Sequence, residues 1–170
     1  MNTDKDSPTS DEVAVEVKNL TVRFGEFTAV DDISFNVTHG EIFGFLGANG
    51  AGKTTTIRVL CGIIAPTFGF VRVEGQDFEN SGTHLKNKVG YMSQKFTLYD
   101  DLTVNENLAF ASQLRKITHA VFQKRSQELL NFIGFYQSQD VLVKNLPGGI
   151  KQQVSLVAAL LHDPEVLFLD

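Results

Sequence analysis

From Val13 onward apolar and polar residues alternate in short runs: Val13-Ala14-Val15-Glu16-Val17, Leu20-Thr21-Val22-Arg23-Phe24, and Ile33-Ser34-Phe35-Asn36-Val37. A period of two is that of a half-buried strand, so the chain is expected to open on antiparallel β-structure, with turns at Gly25 and at His39-Gly40. Glu41-Ile42-Phe43-Gly44-Phe45-Leu46 is more continuously apolar, the pattern of a central strand covered on both faces. Residues 54–63 then switch to helical spacing, with Ile57, Leu60, Cys61 and Ile64 on one face and Gly62 and Pro66 as terminators. Strands follow at 70–73 and 89–92, helices at 104–113, 122–133 and 149–161, and a last strand at 166–169. The order predicts an α/β fold: a core with an antiparallel β portion and a helical insertion at about 95–148. Residues 1–12, nearly devoid of apolar side chains, are expected to form a disordered tail before a domain at 13–170.

A length of 170 residues suits one hydrophobic core. The net charge of −5 gives no electrostatic footprint for nucleic acid, and no nucleic-acid partner is expected. Cys61 is the single cysteine, which excludes an intrachain disulfide, and its apolar neighbours make it a small core residue. No stretch approaches the roughly 18 apolar residues of a membrane-spanning helix, and the N-terminal residues lack the order of a signal peptide. A docked membrane partner is compatible with both observations.

The candidate chemistry is concentrated at Gly47-Ala48-Asn49-Gly50-Ala51-Gly52-Lys53-Thr54, a complete G-x-x-x-x-G-K-[ST] sequence between a predicted strand and a predicted helix. Glycines let the loop turn its N–H groups inward on phosphate oxygens, and the helix adds its positive end. Lys53 is positioned to reach the β and γ phosphates, Thr54 to complete the coordination of Mg²⁺, and Thr55 to join the nucleotide site. Many functions share such a loop. An Asn-Lys-x-Asp guanine reader is not matched by Asn87-Lys88-Val89-Gly90, which weakens a GTPase reading.

Three further segments, in order with this loop, resemble the ATP-binding domain of ABC transporters, a P-loop ATPase core with an antiparallel β subdomain and a helical subdomain. Tyr91-Met92-Ser93-Gln94 resembles the strand and glutamine of the family's Q-loop, and the residues from Lys95 to Leu108 are similar to exporter ATPases. The resemblance implies that Gln94 contacts Mg²⁺ and the attacking water. Leu146-Pro147-Gly148-Gly149-Ile150-Lys151-Gln152 is similar to the signature Leu-Ser-Gly-Gly-x-x-Gln, with Pro147 where the family has serine. Proline removes a hydroxyl and an N–H, while Gly148 and Gly149 keep theirs. Val166-Leu167-Phe168-Leu169-Asp170 resembles the Walker B strand, which makes Asp170 a carboxylate for Mg²⁺, and Phe24 matches the aromatic that stacks on adenine.

The resemblance implies ATP and Mg²⁺ as ligands, a second nucleotide-binding domain in a head-to-tail dimer, and membrane-spanning transporter subunits as partners. It places the chain on the cytoplasmic face of an inner or plasma membrane. A soluble ABC ATPase without a membrane partner, or a nucleotide-sensing module, stays open as an alternative. The family continues past the Walker B aspartate with a glutamate, a D-loop and a switch histidine, whereas all four histidines here, His39, His84, His119 and His162, precede Asp170. The expectation is a C-terminally truncated domain that binds MgATP with negligible turnover, and whose incomplete sheet exposes apolar surface.

Overall fold

Twelve-residue strands β1 (Val13–Phe24) and β2 (Phe27–Thr38) form an antiparallel hairpin around Gly25, which has φ 59°. The computed structural model describes residues 12–77, 87–95 and 97–170; of the tail expected at 1–12, residues 1–11 lie outside the described residues, as does Phe96 of the Q-loop stretch. Contacts divide the chain into two units, one through residue 86 and one from Asn87 to Asp170.

In the first unit β1 and β3 are the interior strands of an antiparallel sheet ordered β2-β1-β3-β4, with β3 at Phe68–Val73 and β4 at Gln76–Asp77. The two alternating runs predicted before Gly25 are one strand, interrupted by a bulge. Val15 and Val17 are buried, the phase skips, and Leu20 and Val22 are buried next. Asn19 absorbs the extra residue at φ 50°, its N–H donating to the Ser34 hydroxyl (2.8 Å) and its amide to Asp32 (2.8 Å). The bulge presses on β3 so closely that a Cβ at Gly69 would stand 2.3 Å from the Asn19 carbonyl oxygen. Helix α1 (Lys53–Leu60) packs on β2 and β3, burying Ile57, Val59 and Leu60, with Cys61 buried just beyond.

Residues 41–48 differ from the expected central strand: they pair with no strand among the described residues, and Ile42 is fully exposed. An apolar run creates a demand for burial, but strand geometry also requires a neighbouring backbone edge to satisfy its N–H and C=O groups. Here aromatic packing holds the segment instead, Phe43 stacking on Phe35 of β2 at 5.2 Å and Phe45 meeting both edge-on.

The second unit combines a parallel pair, β5 (Val89–Met92) beside β6 (Val166–Leu169), with helices α2 (Val104–Leu114), α3 (His119–Phe132) and α4 (Gly148–Leu160). Its core joins Val104, Leu108, Phe122, Leu130, Val154 and Val157, all nearly inaccessible. Thr103 starts α2 with a capping box, accepting from the Glu106 N–H while the Glu106 carboxylate accepts from the Thr103 N–H. Arg125 of α3 donates to the carbonyls of Leu160 and Leu161 and pairs with Asp163, closing the C-terminal end of α4 with a cation. At β5, a Cβ on Gly90 would lie 2.7 Å from the Ala159 carbonyl oxygen, so only glycine allows the strand to approach α4 this closely there.

Candidate functional site

The phosphate-loop residues and Phe24 belong to the first unit; Gln94, the Pro147–Gln152 stretch and Asp170 belong to the second. Each group has its own local geometry.

In the first unit Gly50 and Gly52 both take the left-handed conformation, φ 83° and 82°, and the Ala51 N–H closes a turn on the Ala48 carbonyl at 3.2 Å. Gly52 is the N-cap of α1 and lies against β2, where a Cβ would stand 2.4 Å from the Ala29 carbonyl oxygen. Neither strain nor space admits another residue there. The cap supplies no side-chain oxygen and the first turn holds no carboxylate, so the helix end keeps its positive character. Lys53 curls back, its ammonium donating to the carbonyls of Gly47 (2.8 Å) and Ala48 (2.7 Å), which fixes two of its three N–H directions at the loop. Thr54 and Thr55 follow in the same turn, both partly exposed, and the buried Thr56 donates its hydroxyl to the Gly52 carbonyl at 3.0 Å. A glycine-formed hollow, a helix start without an anion of its own and an adjacent ammonium fit a phosphate group.

Phe24 stands half exposed at the tip of the hairpin, opposite Phe27, which is still more exposed. Phe27 lies two residues before Ala29, the residue against which Gly52 seats. A pair of aromatic faces therefore extends from the hairpin whose second strand supports the loop. Phe27 was not singled out from the sequence, since only the strand register places it opposite Phe24.

In the second unit Gln94 follows β5 and is exposed. Asp170 follows β6, its N–H donating to the Met92 carbonyl at 3.0 Å and its carboxylate accepting from the Tyr91 hydroxyl at 3.3 Å. The β5–β6 register thus sets Gln94 and Asp170 at the same end of neighbouring parallel strands, the end where ligands bind in open parallel sheets. Tyr91 is a second group that sequence spacing did not reveal. Pro147 caps α4 with φ −57° and ψ 150°, and Gly148, Gly149 and Gln152 are exposed on its opening turns. As at α1, no side chain caps this helix and no carboxylate lies in its first turn.

An α/β fold carrying a glycine-rich phosphate loop at a helix start defines the class of P-loop nucleotide-binding domains. The chain belongs to the ABC transporter family, whose model matches residues 30–170. It is 40% identical over 162 residues to the probable multidrug ABC transporter ATP-binding protein YbhF of Escherichia coli (strain K12), covering 95% of this chain and 28% of that protein. The linearmycin resistance ATP-binding protein LnrL of Bacillus subtilis (strain 168) is 35% identical over 156 residues, covering 92% of this chain and 50% of the relative. A solved ATP-binding subunit of an ABC transporter superposes with a TM-score of 0.82 at 27% identity, covering 92% of this chain and 65% of that one. The chain therefore spans between about a quarter and two thirds of the length of these proteins. Relatives named for export and for import both occur. The family is one of ATPases whose ATP-binding domains bind ATP, usually with Mg²⁺. No helix among the described residues is long and apolar enough to cross a membrane.

Proposed function

We propose that this chain is the nucleotide-holding part of an ABC exporter, in which MgATP binding and hydrolysis drive movement of a substrate across a membrane. The observation that carries the reading is the start of α1, where Gly52 seats on Ala29 and Lys53 is folded over the loop. The backbone of Gly47, Ala48, Asn49, Gly50, Ala51 and Gly52 receives the phosphates together with Lys53, Thr54 and Thr55, and Phe24 stacks on the adenine. Thr54, Gln94 and Asp170 would hold the ion, and Gln94 would also orient the attacking water. When bound, Mg²⁺ supplies charge neutralisation at the phosphate oxygens. Pro147, Gly148, Gly149 and Gln152 face the nucleotide of a second ATP-binding domain in a head-to-tail dimer.

Export is favoured over import by the relatives named for multidrug transport and linearmycin resistance. The partners are membrane-spanning subunits, and the working position is peripheral, on the cytoplasmic face of the membrane. Residues 13–170 act as one ATP-binding domain, with 95–148 as its helical portion. The 170-residue polypeptide holds MgATP without turning it over.

Calorimetric titration of MgATP, with phosphate release followed in parallel, tests the reading. Saturable binding is expected, weakened about tenfold or more by Lys53→Ala through loss of a charge-assisted contact, with no phosphate release from either. A folded wild-type chain that takes up no MgATP removes the proposal, and sustained phosphate release removes its last part.

A further inference from the structure

The segment that follows Gln94 is fastened to α2 by Asn107 and to α4 by Asp100. Asn107, buried at 3% exposure, spends its whole side-chain amide on it: Oδ1 accepts from the Tyr99 N–H at 2.7 Å, and Nδ2 donates to the carbonyls of Tyr99 (3.0 Å) and Thr103 (2.9 Å). The next residue, Asp100, receives the Lys151 ammonium at 2.8 Å, and its carbonyl accepts from the Lys144 N–H at 3.0 Å. The Lys151 side chain is only 16% exposed and sits one turn into α4, beside Gly148-Gly149.

A lysine near a helix N-terminus opposes the helix dipole, and the first turn of α4 has no carboxylate to offset it. Asp100 is the anion that does so, from outside the helix. A neighbouring pair, Asp101 with Lys144, is far more exposed and worth correspondingly less. We infer that Asp100 is a positioning residue: through Lys151, with Asn107 holding the backbone of the adjacent Tyr99, it makes the segment after Gln94 and the opening turn of α4 move as one piece. A displacement at either end is then transmitted to the other. The functional sense of this coupling rests on the reading of Gln94 and Pro147–Gln152 as nucleotide-responsive groups.

The test is amide hydrogen exchange on the 170-residue chain, followed in peptides covering 97–103 and 147–153. Asp100→Asn is expected to raise exchange about threefold to fivefold in both segments, the size of one partly buried ion pair. Asp101→Asn is expected to leave the 147–153 peptide unchanged. Charge exchange, Asp100→Lys with Lys151→Asp, should restore both segments, which loss of packing alone would not allow. If Asp100→Asn does not fold, Lys151→Gln replaces it, and its mark is faster exchange in 97–103, far along the chain from the substitution. Exchange that rises in only the segment carrying the change overturns the inference, as does an Asp101→Asn effect equal to that of Asp100→Asn. MgATP titration of the same samples separates the two readings: binding with independent segments removes the coupling alone, whereas coupled segments without binding remove the proposed function alone.

Discussion

His162 follows α4 and lies against β5, with Nε2 3.0 Å from the Val89 carbonyl oxygen. Burial holds its pKa below the ordinary histidine value, with further depression from Arg115 and Arg125 and opposition from the Val89 carbonyl and Asp163. The folded chain therefore binds this proton less readily than the unfolded chain. Its contribution to stability is complete above the unfolded value, near 6.5, and is lost as pH falls from there toward the depressed folded value. Urea midpoints measured between about pH 8 and 5 should fall on the acid side, with a smaller fall in His162→Asn. Equal slopes in the two proteins would assign the acid sensitivity elsewhere. Gly52 and Gly69 make a different point at this scale, because each is required by a carbonyl of another strand, Ala29 and Asn19 respectively, that only the folded backbone brings near.

Helix starts carry the chemistry of the elements. The Thr103 box stabilises α2 by about 1 kcal/mol in the usual case, whereas α1 and α4 begin without any side-chain cap. Their amides are thereby left to other acceptors, at a cost in helix stability. At α4, Pro147→Ser introduces a side chain able to accept from a first-turn N–H, and an increase in stability of about 0.5–1 kcal/mol is expected from equilibrium urea unfolding. A decrease would mean that the fixed φ of proline matters more to the chain entry than the missing cap. The motif spacing was legible at this level: the glycines and Lys53, the Pro147–Gln152 run and Asp170 all fall at element ends, where short-range pattern is most informative. Tyr91 and Asp100 were not, because their partners, Asp170 and Lys151, are distant in sequence.

At the scale of the whole molecule, residues 41–46 combine strong apolar character with exposure, Ile42 at 100% and Leu46 at 97%. Exposed apolar backbone without strand partners favours association between copies. Sedimentation velocity should detect concentration-dependent self-association, and Ile42→Lys should reduce it without changing the unfolding midpoint greatly, since the side chain is fully exposed. A wild-type chain that stays monomeric at high concentration would exclude that role for the segment.

Local pattern by itself determined the antiparallel opening, the helix positions and the phosphate loop, because periodicity and glycine spacing act over a few residues and need no distant partner. It also pointed to a central strand at 41–46, which the structure does not form, since pairing depends on whether another backbone edge is available. Tertiary structure alone decided the bulge at Asn19 that joins two runs into β1, the seat of Gly52 on Ala29, and the bond from Tyr91 to Asp170. It likewise decided that Asp100 answers the charge of Lys151 across 51 residues of chain, an electrostatic match that exists only once the core of the second unit has drawn its helices together.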